Sequence, residues 1–295
     1  MEQYIITTES TVDLPASRLE ELRIPVIRME YTVDGGDPKQ DDMMEESAFS
    51  VFRNMREGSM VTTALVNTQR FIEFWRPFLE AGNDILHVAF SSALSSTCQC
   101  ANLAAEELMQ AYPERTIRVA DSRGASGGQG LVVEHTAMQR DSGLTLLACY
   151  DWVNDNRFSF HYLFTVDDLK YLQRGGRCSS TEAFVGSLLR IKPVLDMDLE
   201  GRLIPRAKVN GRNASLRNML QKFENTFEEA LNPFIIICNA DCTADAEKMA
   251  DMIHGLHPSL EIRHSFIGTV IGAHSGPGTL AVFYRGHGRV RTKAS

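Results

Sequence analysis

The sequence predicts an α/β protein of two domains, an N-terminal parallel Rossmann-like sheet and a C-terminal mixed α/β sheet domain. Three observations carry that expectation. Apolar runs in the first 140 residues alternate with polar loops and amphipathic stretches, in the order strand, loop, helix of a doubly wound sheet. After about residue 160 short runs are joined by glycine turns as well as by helical stretches, which suits a mixed sheet. With 43% apolar content, 295 residues are enough to fill two cores. Domains are expected over residues 1–160 and 161–290, with 291–295 as a tail.

In chain order, Tyr4 to Thr8 reads as a strand closed by Glu9-Ser10-Thr11, and Asp13-Leu14-Pro15 opens a helix carrying Leu19 and Leu22. Ile24 to Tyr31 is a second strand, ending at the Asp34-Gly35-Gly36 turn. Met43 to Met55 is helical with Phe49 and Phe52 inward, and Thr68 to Ala81 is an amphipathic helix. Asn83 to Phe90 is a buried strand running into the hydroxyl-rich turn Ser91 to Thr97, before a helix over Ala101 to Met109. Ile117 to Ala120 ends in a small-residue loop, Asp121 to Gly130, before helices over Leu131 to Arg140 and Leu144 to Asn156.

The second half opens with a strand, His161 to Val166, a short helix, Asp167 to Gln173, and the turn Arg174-Gly175-Gly176-Arg177. A helix over Ala183 to Leu189 precedes two strands, Pro193 to Asp196 and Leu203 to Val209, joined at Glu200-Gly201. Then come a helix over Ala214 to Asn232, a strand at Phe234 to Cys238, a helix over Ala244 to Leu256 and a strand at Ile262 to Ile267. Two last runs, Ile267 to Ile271 and Leu280 to Tyr284, are expected as strands about a glycine-proline loop that holds His274 where the chain reverses.

Composition excludes several function classes. The net charge of −8 and the lack of a long basic stripe argue against nucleic-acid binding. No apolar run reaches the roughly 18 residues of a membrane span, and MEQYIITTES shows no signal-peptide pattern, so no stable membrane insertion and a cytoplasmic location are expected. Cys98, Cys100, Cys149, Cys178, Cys238 and Cys242 lack zinc-site spacing, and reduced thiols with no bound metal are expected. The P-loop, dinucleotide-fingerprint, H-E-x-x-H and EF-hand patterns are missing.

The turn Ser91 to Thr97 offers hydroxyls and free backbone N–H groups at a helix N-terminus, a place that binds anions. Ser91, Ser92 and Ser95 also suit plain helix capping, Thr62 a plain strand end, and Arg174 and Arg177 exposed turn contacts. A nucleophilic set of Ser92, His274 and Asp121 ranks low, since no G-x-S-x-G elbow is expected in the chain and serines in a cap position are.

Five blocks in order carry a resemblance over almost the whole chain: TTESTVDLP, SSALSSTCQCA, ADSRGASGGQG, DDLKYLQRGGR with GSLLRIKPVLDMDLEGRLIPRAKVNGR, and HSGPGTLAVFY. They resemble the DegV family of bacterial fatty-acid-binding proteins. That resemblance implies a two-domain DegV-like fold with one long-chain fatty acid between the domains. It also implies a carrier, itself not an enzyme and without a cofactor, that presents the carboxylate to a separate fatty acid kinase for acyl-phosphate formation. By position the head-group contacts fall on Thr62, Ser92 or Ser91, and His274, with Ser95 beside them. The basic residues Arg177 and Arg206 or Arg212 follow more weakly, as head-group or kinase-docking residues. The family's D-S-T reads Glu9-Ser10-Thr11 here, its T-S-Q-P reads Thr62-Thr63-Ala64-Leu65, and its glycine and tyrosine in LSGTYQSA are Ser96 and Cys98. A hydrolase or transferase of the same fold, using Ser92 and His274 on a small acyl or phosphorylated substrate, is the alternative. Burying an acyl chain of about sixteen carbons contributes roughly 12 kcal/mol gross, at about 0.8 kcal/mol per methylene. The buried carboxylate then needs hydrogen-bond donors to offset its desolvation.

Overall fold

The computed structural model describes residues 4–177 and 191–289; the helix expected at Ala183 to Leu189 and the tail at 291–295 lie outside them. Its first half contains β1 (Tyr4–Glu9), α1 (Ala16–Glu21), β2 (Val26–Ile27), β3 (Glu30–Val33), β4 (Lys39–Gln40), α2 (Glu45–Glu57) and β5 (Val61–Ala64). There follow α3 (Thr68–Glu80), β6 (Asp84–Ala89), α4 (Thr97–Ala111), β7 (Ile117–Asp121), α5 (Ser126–Asp141) and α6 (Leu146–Asn156). The second half runs β8 (Phe160–Thr165), α7 (Lys170–Arg174), β9 (Ile191–Met197), β10 (Leu203–Asn210), α8 (Arg212–Thr226) and β11 (Ile235–Asn239). It ends with α9 (Thr243–His254), β12 (Ile262–Phe266), α10 (Thr269–Ser275) and β13 (Leu280–Arg285).

The apolar runs of β1 and β6 are buried on both faces, as a parallel sheet covered by helices requires. They lie central in a parallel sheet of order β2-β1-β6-β7. The second sheet has order β10-β9-β8-β13-β11-β12, antiparallel apart from the β11–β12 pair, so it is mixed. A small antiparallel sheet, β4-β3-β5, was not expected. It forms because Ile24 to Tyr31 is not one strand: the Met29 N–H donates to Ser10 Oγ at 3.1 Å, and the chain leaves the first sheet there.

Helix α5 joins the halves. It packs on β6 and α6 from the first half and on β8, β11 and β13 from the second. It is buried from Ser126 to Ala137, which is possible only because its first turns carry almost no side chain. An added methyl at Gly127 would lie 2.5 Å from Cys238 Sγ, and one at Gly130 would lie 2.6 Å from the Val12 carbonyl oxygen. The loop expected as far as Gly130 is therefore helix from Ser126 onward, its glycines selected by close approach to the second sheet. One apolar core runs between the sheets, taking in Ile6, Leu86 and Ala120 together with Tyr162, Leu195 and Phe283.

A second correction concerns the tail. Thr269 to Ser275 is α10, where a strand over Ile267 to Ile271 was expected. Its branched residues favour strand locally, but Gly272 lets the segment lie against Phe52 of α2, and that packing outweighs propensity. His274 thus stands on the last turn of a helix, just before Gly276 at φ 83°.

Candidate functional site

Between the sheets lies a cavity of about 270 Å³. Its walls are mainly apolar: Met29, Phe90 and Leu94 from the first half, and Phe164, Leu172, Met197, Leu203, Ala281 and Phe283 from the second. Polar groups gather at Thr63, Ser95, Ser96, Arg177, His274 and Ser275.

His274 Nε2 lies 2.8 Å from Thr63 Oγ1. Burial, and then the nearby Arg177 guanidinium, push the His274 pKa down to about 4, so the ring is neutral at physiological pH. Arg177 Nε donates to the Leu94 carbonyl at 3.1 Å, which ties the turn after α7 to the turn before α4. Ser95 Oγ lies 2.9 Å from Thr97 Oγ1 and accepts from the Thr97 N–H at 3.2 Å, fixing the start of α4.

Of the sequence-derived candidates, His274, Ser95 and Arg177 line the cavity together. Thr62 does not: β5 pairs with β3 so that successive residues face opposite ways, and Thr62 is exposed while Thr63 meets His274. Strand alternation is the signal that separates the two threonines, and a shift of one position reverses the face. Ser91 is buried but its hydroxyl donates to the Gly201 carbonyl at 2.9 Å. Ser92 is exposed, with its backbone N–H on Asp121 Oδ1 at 3.3 Å. The set Ser92, His274 and Asp121 therefore does not assemble. Arg206 and Arg212 pair with Asp196 and Asp245, at 3.3 and 2.8 Å, and neither is among the cavity-lining residues. Glu9, which departs from the family's aspartate, is fully buried, accepting from the Phe90 N–H and from Gln129 Nε2 at 3.0 and 2.8 Å.

The expectation that the chain holds no G-x-S-x-G is corrected here, and the serine concerned reaches the cavity. Ser126 occupies the string Gly124-Ala125-Ser126-Gly127-Gly128, a literal G-x-S-x-G, between β7 and α5. Its backbone is left-handed at φ 57°, and its hydroxyl donates to Asp13 Oδ2 at 2.5 Å rather than to a histidine. Asp13 is itself left-handed at φ 48°, and burial holds its carboxyl well above the ordinary carboxylate range. Among the described residues no group of three His, Cys, Asp or Glu side chains is placed to hold a metal ion, and no helix is long and apolar enough to cross a membrane. The five described cysteines are free thiols.

Comparison with known proteins adds three findings. The family model described as "Uncharacterised protein, DegV family" matches residues 3–286. A DegV domain-containing protein of Clostridium perfringens is 39% identical over 286 residues, covering 97% of this chain and 98% of its own. Among solved structures, a DegV family protein from Thermus thermophilus described by its fatty acid binding superposes with a TM-score of 0.85 at 27% identity, over 97% of this chain and all of that one. A DegV lipid-binding protein from Thermotoga maritima does so with a TM-score of 0.84 at 26% identity, over 98% and 100%.

Proposed function

The chain belongs to the DegV family, and from that premise we propose that it encloses one long-chain fatty acid between its two sheets and presents the carboxylate to a separate fatty acid kinase in the cytoplasm. The observation that carries this reading is an apolar cavity whose polar groups, Thr63, Ser95, Arg177 and His274, come from four separate segments. A tail buried among Phe164, Met197, Leu203 and Phe283 supplies affinity, and the hydroxyls and the guanidinium hold the charged end. In the tautomer that puts the proton on Nε2, His274 donates to Thr63 Oγ1 and the Thr63 hydroxyl turns its own proton toward the carboxylate. The protein then needs no chemistry of its own, since phosphoryl transfer takes place on the kinase.

Mass spectrometry of the purified protein, native and then denatured, tests the reading. One fatty acid per chain is expected, released on unfolding. A protein that arrives empty and takes up no added fatty acid would sink it. Addition of a fatty acid kinase and ATP should convert bound acid to acyl phosphate, and His274→Ala should slow that conversion at equal ligand loading.

A further inference from the structure

A buried hydroxyl stands behind one of the cavity-lining serines and fixes which way it faces. Thr97, the first residue of α4, is fully buried, whereas Ser95 is half-buried and lines the cavity. Their side-chain oxygens lie 2.9 Å apart, and either could be the donor on distance alone. Ser95 Oγ also accepts from the Thr97 N–H at 3.2 Å, and Thr97 Oγ1 accepts from the Val66 N–H at 3.4 Å.

Burial decides the direction. The Thr97 hydroxyl has one proton and, among the described residues, only the Ser95 oxygen to give it to. If Ser95 donated instead, that proton would stay unpaired inside the protein, at the full desolvation cost of a buried donor. Ser95 loses nothing by accepting, because its own proton can turn to the cavity. With Thr97 donating through both its N–H and its O–H, the two lone pairs of Ser95 Oγ are filled, so the serine meets a ligand as a donor only. The Thr63–His274 pair lacks that fixity, since its polarity follows the tautomer of the ring. Val66 adds a second constraint. It follows Thr63 on the segment leaving β5, so its bond to Thr97 ties the two hydroxyl-bearing segments together.

Resting on the fatty-acid reading above, we propose that Thr97 is a positioning residue: it commits the Ser95 hydroxyl to donate, and so makes the site select a carboxylate head group over a hydroxyl one. Thr97 is not among the cavity-lining residues, so it acts through Ser95. An ionised carboxylate can only accept, and a donor already aimed at it needs no reorientation on binding. An alcohol both donates and accepts, so it cannot donate to this serine and gains from one that is free to turn.

Competition binding tests the inference, with hexadecanoic acid and hexadecanol each displacing radiolabelled hexadecanoic acid from the delipidated protein at neutral pH. The quantity read is the ratio of acid affinity to alcohol affinity. Thr97→Val keeps the shape and removes the hydroxyl, and should cut that ratio about tenfold, the worth of one net hydrogen bond. Thr97→Ser restores a hydroxyl and should hold the ratio within about twofold of wild type. Ser95→Ala should cut the ratio as far as Thr97→Val does, and combining the two should cut it no further. Thr97→Cys, whose thiol is a weak donor, is the second variant if Thr97→Val unfolds. A merely structural Thr97 would weaken both ligands alike. An unchanged ratio in Thr97→Val, or a further fall in the Ser95→Ala background, overturns the positioning role and leaves the carrier reading standing. A wild type that takes up no labelled acid overturns the fatty-acid reading, and this inference with it.

Discussion

His274 holds its imidazole neutral over the physiological range because burial and the Arg177 charge both oppose a second proton. The folded-state pKa, about 4, lies below the ordinary histidine value, so the neutral form is the one folding favours. Its contribution to stability is thus complete above about pH 6.5 and is lost as pH falls from there toward the folded value. An NMR titration of the ligand-free protein should place the His274 midpoint near 4, and His274→Ala should flatten the loss of stability across that window. A midpoint near 6.5 would mean that the ring is open to water. Thr63 sets the other half of the contact. Thr63→Val should weaken fatty-acid binding about tenfold, the loss of one hydroxyl bond, whereas Thr62→Val on the exposed face should change it less than twofold. Equal effects of the two, measured by ligand titration, would remove the face assignment of β5.

Elements that form by covering an apolar face were legible in the sequence, and those that form by close backbone approach were not. The helices α3 and α9 and the strands β6, β8, β11 and β13 lie within a few residues of their expected bounds, since each buries one pattern against one layer. The first turn of α5 and the whole of α10 were misread because their glycines look like loop until the partner is known: Cys238, Tyr162 and Phe283 for α5, Phe52 for α10. The site shows the same division. His274 and Ser95 stood out as polar groups in turns, Arg177 followed only from the family resemblance, and Ser126 was hidden in a glycine run. A methyl at Gly272 would run into the Phe52 ring, so Gly272→Ala should cost about 1–3 kcal/mol by overpacking and tilt α10 enough to loosen His274 from Thr63. Denaturant unfolding gives the first number and the His274 titration reports the second. An unchanged midpoint and an unchanged pKa would show that α2 yields freely.

The halves of the molecule are clasped on one side by charge as well as by the shared core. Glu134 of α5, 1% exposed, accepts from Arg18 of α1 at 2.9 and 2.6 Å and from Arg263 of β12 at 2.6 Å. Glu134→Gln keeps the shape but removes the charge, and should cost about 1.5–3 kcal/mol in thermal or denaturant unfolding. A loss below about 0.5 kcal/mol would mean that the two guanidiniums find other partners in water. The cavity, too, belongs to the whole chain, its wall running from Thr11 to Phe283. That distribution governs when a ribosome can deliver a working molecule. Until β13 emerges, the nascent chain has the first sheet but lacks the strand that carries Ala281 and Phe283, so it cannot shelter a fatty acid from water or from the surfaces of other growing chains. A fatty acid enclosed as proposed would therefore enter only after β13 is in place, and a chain cut before Ala281 would lack that wall of the cavity.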